Sequence, residues 1–445
     1  MSVGPITVES MFEDLDGLVT AVAVIDPGAG ESALVERIAM LEQLKAAAAA
    51  GQARAAAALD ASRRSAEAAA GVPAARRGRG VAGEVALARR DSPVRGGRHL
   101  GLAKALVHEM PHTLAALERG VLSEWRATIL VRESACLDVE DRRTLDVELC
   151  ADTANLDGVG DARLAAAAKA IAYRLDPHAV VDRAARAESE RTVTIRPAPD
   201  TMTYLTALLP VAQGVAAYAA LRREADSCGD GRSRGQVMAD ALVERITGRS
   251  VADATPVAVN LVISDETLLG AGTTPAVIAG YGPIPAAVAC RMVGSAVADP
   301  RSRATLRRLY ASPKTSALVA LESRGRLFPR GLADFIGLRD QRCRTPYCDA
   351  PIRHRDHAVP DARGGPTSAE NGLGLCEQCN YTKESAGWRV AAESGESGRH
   401  NAEFTTPTGA HYHSTAPPLP TARPALEVSE IEVAVVIALS DLHAA

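Results

Sequence analysis

Apolar residues recur every three or four positions from Glu31 to about Ala70. Leu34, Ile38, Leu41 and Leu44 fall on one side and Glu, Gln and Arg on the others, which predicts a long helix. Gly71-Val72-Pro73 ends that pattern, and the Gly- and Arg-rich stretch from there to Arg98 carries no period, so it predicts a loop. Helical spacing resumes over 100–109, 113–118, 123–133, 139–150 and 162–187, then over 211–223 and 236–246, with short helices expected at 286–293 and 332–338. Alternation over 192–196 and 257–263 predicts strands, as do shorter pieces at 388–391 and 403–405. No segment repeats at a fixed period. The pattern predicts a mainly α N-terminal domain with a few short strands over 1–320. It also predicts a small α+β module with a following β-hairpin over 321–415, and a loose tail over 416–445.

Composition sharpens this in three ways. A chain of 445 residues exceeds one ordinary core, so more than one domain is expected. Aromatics are only 3% while alanine runs occur at 46–50 and 165–168, which favours long helices meeting closely through small side chains. Such helices also offer a surface through which two chains can pair as a homodimer. The net charge of −4 gives no global attraction to nucleic acid, so any binding must come from local basic runs. One run is Arg76, Arg77, Arg79, Arg89, Arg90, Arg95 and Arg98, which a solvated surface explains as well as a phosphate contact does. The other is Arg324, Arg326, Arg330, Arg339, Arg342 and Arg344, which leads directly into a cysteine pair and suits phosphate recognition.

No charged start followed by an apolar stretch marks a secretory leader, and the late apolar run 433–439 is far below the roughly 20 residues of a membrane helix. A cytoplasmic protein without membrane attachment is expected. There the eight cysteines are thiols or metal ligands rather than disulfides. Cys136, Cys150, Cys228 and Cys290 are isolated and read as buried free thiols.

The other four form two close pairs, Cys343-x4-Cys348 and Cys376-x2-Cys379, about thirty residues apart. Four thiolates in two tight turns suit a tetrahedral structural zinc ion, with a small hairpin inserted between the turns. Metal binding would supply much of the folding energy of so small a unit. Within the insert, Asp356 and His357 end a strand-like segment. A polar turn and Asn371 follow, and Cys379-Asn380-Tyr381-Thr382-Lys383 opens a helix. Zinc would hold that helix against the hairpin and bring Asp356, His357 and Asn380 to one cleft.

These residues resemble the HNH (ββα-metal) endonucleases. The matching text is Asp356-His357-Ala-Val-Pro, Gly364-Gly-Pro-Thr, Asn371 and Leu375-Cys-x-x-Cys-Asn-x-x-Lys383. Ahead of them, Leu332-Ala-Asp-Phe-Ile-x-x-Arg-Asp-x-x-Cys is similar to the end of the helical domain of unknown function 222, also called the 13E12 repeat family. The later Thr406-Pro-Thr-Gly-Ala-His-Tyr also has counterparts in chains of this arrangement. The resemblance implies a metal-dependent nuclease acting on DNA, with His357 as general base, Asp356 and Asn380 as ligands to the catalytic metal, and Asn371 fixing the loop and orienting His357. Lys383 would touch a phosphate or the transition state, and Arg339, Arg342, Arg344 and Arg363 would meet the nucleic acid. One carboxylate and one amide oxygen form a sparse, hard site, which suits Mg²⁺ or Mn²⁺. Many relatives carry histidine where Asn380 stands and leucine where Gly372 stands.

Each residue also has a plainer role. His357 can be a turn histidine, Asn371 a turn former, Asn380 a helix cap and Lys383 an exposed helix residue. His354, His400, His411 and His413 read as surface residues. A zinc-stabilised DNA-binding or regulatory protein that does not cut shares the cysteine frame and the basic run without needing His357. RNA cleavage is a third reading, and the scarcity of aromatics argues against base-stacked recognition of single strands.

Overall fold

The computed structural model describes residues 8–24, 30–248, 261–269, 272–278, 281–298, 327–394 and 399–418. The chain forms two compact units: residues up to 85 with 97–186, and residues 86–96 with 187–445. The expected boundary near 320 lies outside the described residues, as does the tail beyond 418.

The first unit is helical. Its elements are α1 (Val8–Ala23), α2 (Glu31–Ala69), α3 (Val81–Ala88), α4 (Pro93–His108), α5 (Pro111–Glu118), α6 (Glu124–Glu133), α7 (Val139–Cys150), α8 (Asp161–Leu175) and α9 (Pro177–Ala187), with 86–96 counted in the second unit. The long helix α2 forms as expected, but its buried residues are alanines in its middle rather than the expected apolar face. Ile38 stays 68% exposed, whereas Ala46, Ala49, Ala50, Ala53, Ala56 and Ala57 are buried against Leu106, Leu114 and Leu117. Methyl side chains let the neighbouring helices come close. At the turn after α5, Gly120 (φ 75°) leaves no room for a Cβ beside the Gln43 backbone.

The expected loop before Arg98 is largely helical, because Val81, Val85, Leu102 and Leu106 reach this core. The expected helix over 162–187 breaks at Asp176-Pro177. Proline starts α9, and the Asp176 carboxylate accepts the Ala179 N–H at 2.9 Å. Buried Asp146 on α7 closes the start of α5 by accepting the His112 and Thr113 N–H groups at 2.7 and 2.8 Å.

In the second unit the hairpin β1 (Thr192–Ala198) and β2 (Met202–Leu208) precedes α10 (Val211–Ser227) and α11 (Arg234–Thr247). Ser233 and Gln236 form a capping box at the start of α11. A small antiparallel sheet, β3 (Leu261–Val262), β4 (Ala276–Ile278) and β5 (Gly282–Ile284), surrounds the short helix α12 (Asp265–Leu269) in sequence and leads to α13 (Ala286–Ala298). Of the expected strand at 257–263, residues 257–260 lie outside the described residues.

After α14 (Arg330–Asp340) come the antiparallel pair β6 (His354–His357) and β7 (Gly372–Leu375), then α15 (Glu377–Lys383). The meander β8 (Arg389–Ser394), β9 (His400–Thr405) and β10 (His411–Thr415) closes the unit. Its inward residues Val390, Ala402 and Phe404 share one core with Leu373, Leu375 and three of the paired cysteines. No helix among the described residues is long and apolar enough to cross a membrane.

Candidate active site

Two glycines in β7 set the geometry. A Cβ at Gly372 would collide with Ile336 on α14 and crowd Phe328, and one at Gly374 would collide with Ile352. Glycine therefore lets α14 lie directly on the strand, which gives a physical reason for Gly372 where leucine is frequent. Across the hairpin, Asp356 pairs with Leu373 and His357 with Gly372, so both polar residues sit at the end of β6 nearest the following loop.

The four cysteine sulfurs lie within 4.8 Å of one another, with Cys348 Sγ 3.4 Å from Cys379 Sγ and 3.7 Å from Cys376 Sγ. A tetrahedron with Zn–S bonds of about 2.3 Å has edges of about 3.8 Å, so the cluster fits that ion. Hydrogen bonds from Cys343, Cys348 and Cys379 hold the Cys376 thiol well below its ordinary range, while Cys343, Cys348 and Cys376 push Cys379 up. Sulfurs this close repel as thiolates, and a bound cation is what permits all four to ionise. Cys376 also caps α15 by accepting the Cys379 N–H at 3.4 Å, so the clasp fixes the helix start beside the hairpin.

From that start, α15 presents Asn380 and Lys383 one turn apart on the same side. Lys383 is buried, and its Nζ lies 3.0 Å from Asp356 Oδ2 and also meets Glu384. The other Asp356 oxygen accepts the His357 backbone N–H at 2.9 Å. Burial pushes the Asp356 carboxyl up, but the Lys383 ammonium and the His357 N–H outweigh it and hold the group below the usual carboxylate range. Asn380 Oδ1 is buried without a hydrogen-bond partner. An orphaned amide oxygen on the side of α15 that faces a carboxylate fits a hard divalent cation.

His357 is buried with Phe328 against its ring, the centroids 4.7 Å apart. Its Nε2 lies 2.9 Å from Thr367 Oγ1, and its Nδ1 lies 3.6 Å from Asp356 Oδ1. The side-chain hydrogen bonds of Asn371 go to the loop backbone. Its Oδ1 accepts the Val359 N–H at 2.9 Å, and its Nδ2 donates to the carbonyls of Val359 and Pro366 at 3.0 and 2.9 Å. Both amide hydrogens and one oxygen lone pair are thus engaged in holding the loop after β6. A Cβ at Gly365 would strike the Val359 carbonyl oxygen inside this clamp.

The family model for a domain of unknown function, DUF222, matches residues 38–340, more than half of the chain. The chain belongs to that family. The DUF222 match spans parts of both compact units, and the model for HNH endonuclease follows it directly over residues 341–386. This match contains the cysteine clasp, β6, β7 and α15, so the site above is the HNH domain of a DUF222 chain. No curated protein and no solved structure matches the chain.

Two arginines expected at the nucleic acid are elsewhere. Arg339 and Arg344 are 4% and 2% exposed and pair with buried Asp340 at 2.7 and 2.9 Å. Arg339 also donates to the carbonyls of Ala369 and Gly372, and Arg344 to those of His400 and Ser414. They brace the module from within and are out of reach of a phosphate. Arg342 is half-buried and donates to the carbonyls of Asp349 and Tyr281, while Arg363 is exposed in the loop after β6.

His400 is likewise buried rather than at the surface. Nε2–H donates to Glu370 O at 2.6 Å and Nδ1 accepts from Arg344 at 3.1 Å. His411 and His413 are exposed and His354 is half-buried. Of the isolated thiols Cys150 is buried, and burial pushes it up to about 11. Cys136, Cys228 and Cys290 are only partly buried. Thr367 and His400 escaped the sequence reading. Thr367 stands inside the matched Gly364-Gly365-Pro366-Thr367 text without a role, and His400 is separated from its partners by many residues.

Proposed function

We propose that the HNH domain hydrolyses DNA phosphodiester bonds. The observation that carries this reading is the contact of buried His357 with half-buried Asp356 on β6, tied through Lys383 to α15, the helix on which the Asn380 oxygen is buried without a partner. His357 would take the proton of the attacking water as that water forms a bond to phosphorus. The P–O3′ bond would break, leaving 5′-phosphate and 3′-hydroxyl ends. Mg²⁺ or Mn²⁺, held by Asp356 and Asn380, would supply polarisation of the phosphate and stabilisation of the departing 3′ oxygen. Glu384 already meets Lys383 and can keep its ammonium paired when Asp356 turns to a cation. Lys383 then stands as a positive charge at the edge of the site.

A DNA-binding or regulatory protein that does not cut is the second reading. It draws support from Lys383, whose ammonium takes one of the two Asp356 oxygens. Zinc-loaded protein incubated with supercoiled, linear and single-stranded DNA and Mg²⁺ or Mn²⁺ decides between them. Cutting by the wild type, lost in His357→Ala with DNA binding retained, supports the nuclease. Binding without cutting by either protein supports the second reading.

A further inference from the structure

Between residues 81 and 108 two helices are joined by a turn of four residues, 89–92. The first, α3, ends in a Schellman arrangement. Arg90 takes the left-handed conformation (φ 55°), its N–H donates to Leu87 O at 3.0 Å, and the Asp91 N–H donates to Ala86 O at 2.8 Å. Pro93 then opens α4, where the Gly96 N–H donates to Ser92 O at 2.9 Å. Val81 and Val85 of α3 share one core with Leu102, Ala103 and Leu106 of α4. The later turns of α4 are thus anchored, and one side of its first turns is left at the surface. Two helices, a tight turn and an open start on the second are the parts of a helix-turn-helix.

The composition of that open side points to its partner. Val94, Gly97, Arg98 and Gly101 are exposed and fall at i, i+3, i+4 and i+7, one face of the helix. Glycine inside a helix weakens it, and packing within the chain requires neither glycine here, since a Cβ at Gly97 or Gly101 would meet nothing within 4 Å. Two bare positions one turn apart suit close approach by something outside the chain. Charge says what that is. From 89 to 98 four arginines stand against one acid, Asp91, which pairs with Arg95 at 3.4 Å, and α4 itself contains no acidic residue. A polyanion is the complementary partner. We propose that α3, the turn and α4 form a helix-turn-helix that binds duplex DNA, with the exposed face of α4 in the major groove. Arg98 reaches a guanine edge and Val94 a thymine methyl, while Gly97 and Gly101 let the helix backbone enter deeply. Arg90 and Arg95 flank the groove as phosphate contacts. The inference stands apart from the cutting chemistry, because it supplies a grip on DNA whether or not the HNH site hydrolyses it.

The test uses full-length, zinc-loaded protein without added Mg²⁺ or Mn²⁺, so that binding is read apart from cutting. The probe is a pool of DNA duplexes with a randomised central segment, from which bound molecules are selected and sequenced. The wild type is expected to recover a preferred sequence. It should bind that duplex more tightly than the RNA duplex of the same sequence, whose deep, narrow major groove shuts a helix out. Arg98→Ala should weaken binding to the recovered duplex by about 10- to 100-fold and change the preferred sequence. Gly97→Leu should weaken binding comparably while its melting temperature equals or exceeds that of the wild type, because leucine favours the helix and has open space there. If Gly97→Leu fails to fold, Arg98→Ala decides alone, since it only truncates an exposed side chain. Wild-type affinity and preference in Arg98→Ala overturn the proposal, as does wild-type affinity in a folded Gly97→Leu. So do equal affinities for the DNA and RNA duplexes, a wild type that prefers no sequence, and a wild type that binds no duplex.

Discussion

His400 shows how one buried side chain can make the whole module sensitive to acid. Burial lowers its pKa from 6.5 to about 4, and the charges of Arg339 and Arg344 add to that, against the Glu370 carbonyl and the Asp340 carboxylate. The folded imidazole is therefore neutral where the unfolded one already binds a proton. Its contribution to stability is complete above the unfolded value of 6.5 and is lost as pH falls toward about 4. The shift corresponds to roughly 3 kcal/mol. Denaturation of wild-type protein and His400→Gln at matched zinc content should give curves that converge across this window, with the wild type losing more stability. Parallel pH dependences would contradict the assignment. Its neighbours carry the same lesson. In the sequence Arg339 and Arg344 are indistinguishable from surface cations, because the residue type fixes the charge and only the fold supplies Asp340 beneath it.

At the scale of elements, periodicity made much of the helical framework legible. The segment 139–150 is α7 to the residue, and 31–70 is α2 within one residue. The failures have physical causes. In α2 Leu34 and Ile38 stay exposed and Leu41 and Leu44 are only partly buried, because alanines, which carry little hydrophobic signal, make the close contact. α3 and the start of α4 were hidden by glycine and arginine, whose low helical signal is overridden by tertiary burial of Val81 and Val85.

The cysteine clasp was legible because metal geometry constrains spacing along the chain more tightly than core packing does. It joins three pieces of the module: the turn after α14, the end of β7 and α15. Cys376→Ala should therefore do more than lose a ligand, since Cys376 also caps α15 and alanine offers no acceptor. Zinc content should fall, and the melting transition of the C-terminal module should disappear or drop, while the helical signal of α2 to α9 persists. Unchanged zinc content and an unchanged melt in that variant would show that the clasp holds no structural ion.

For the whole molecule the balance of charge matters. The net charge is −4, and burial of Arg339 and Arg344 removes two of the cations expected to meet a phosphate. Any attraction to DNA must be local, and Arg363 is the exposed arginine nearest in sequence to His357 among those expected to bind. Each neutralised phosphate contributes about −0.9 to the slope of log Kobs against log salt concentration. Arg363→Ala should therefore make that slope shallower by about 0.9 and weaken binding similarly for unrelated duplex sequences, because a phosphate contact carries no base information. The fold should be untouched, since the side chain is exposed on a short turn. An unchanged slope would move the electrostatic footprint to the exposed arginines at 76, 79, 90, 95 and 98, in the region matched by the DUF222 model. The DNA would then be gripped by one domain and addressed chemically by another.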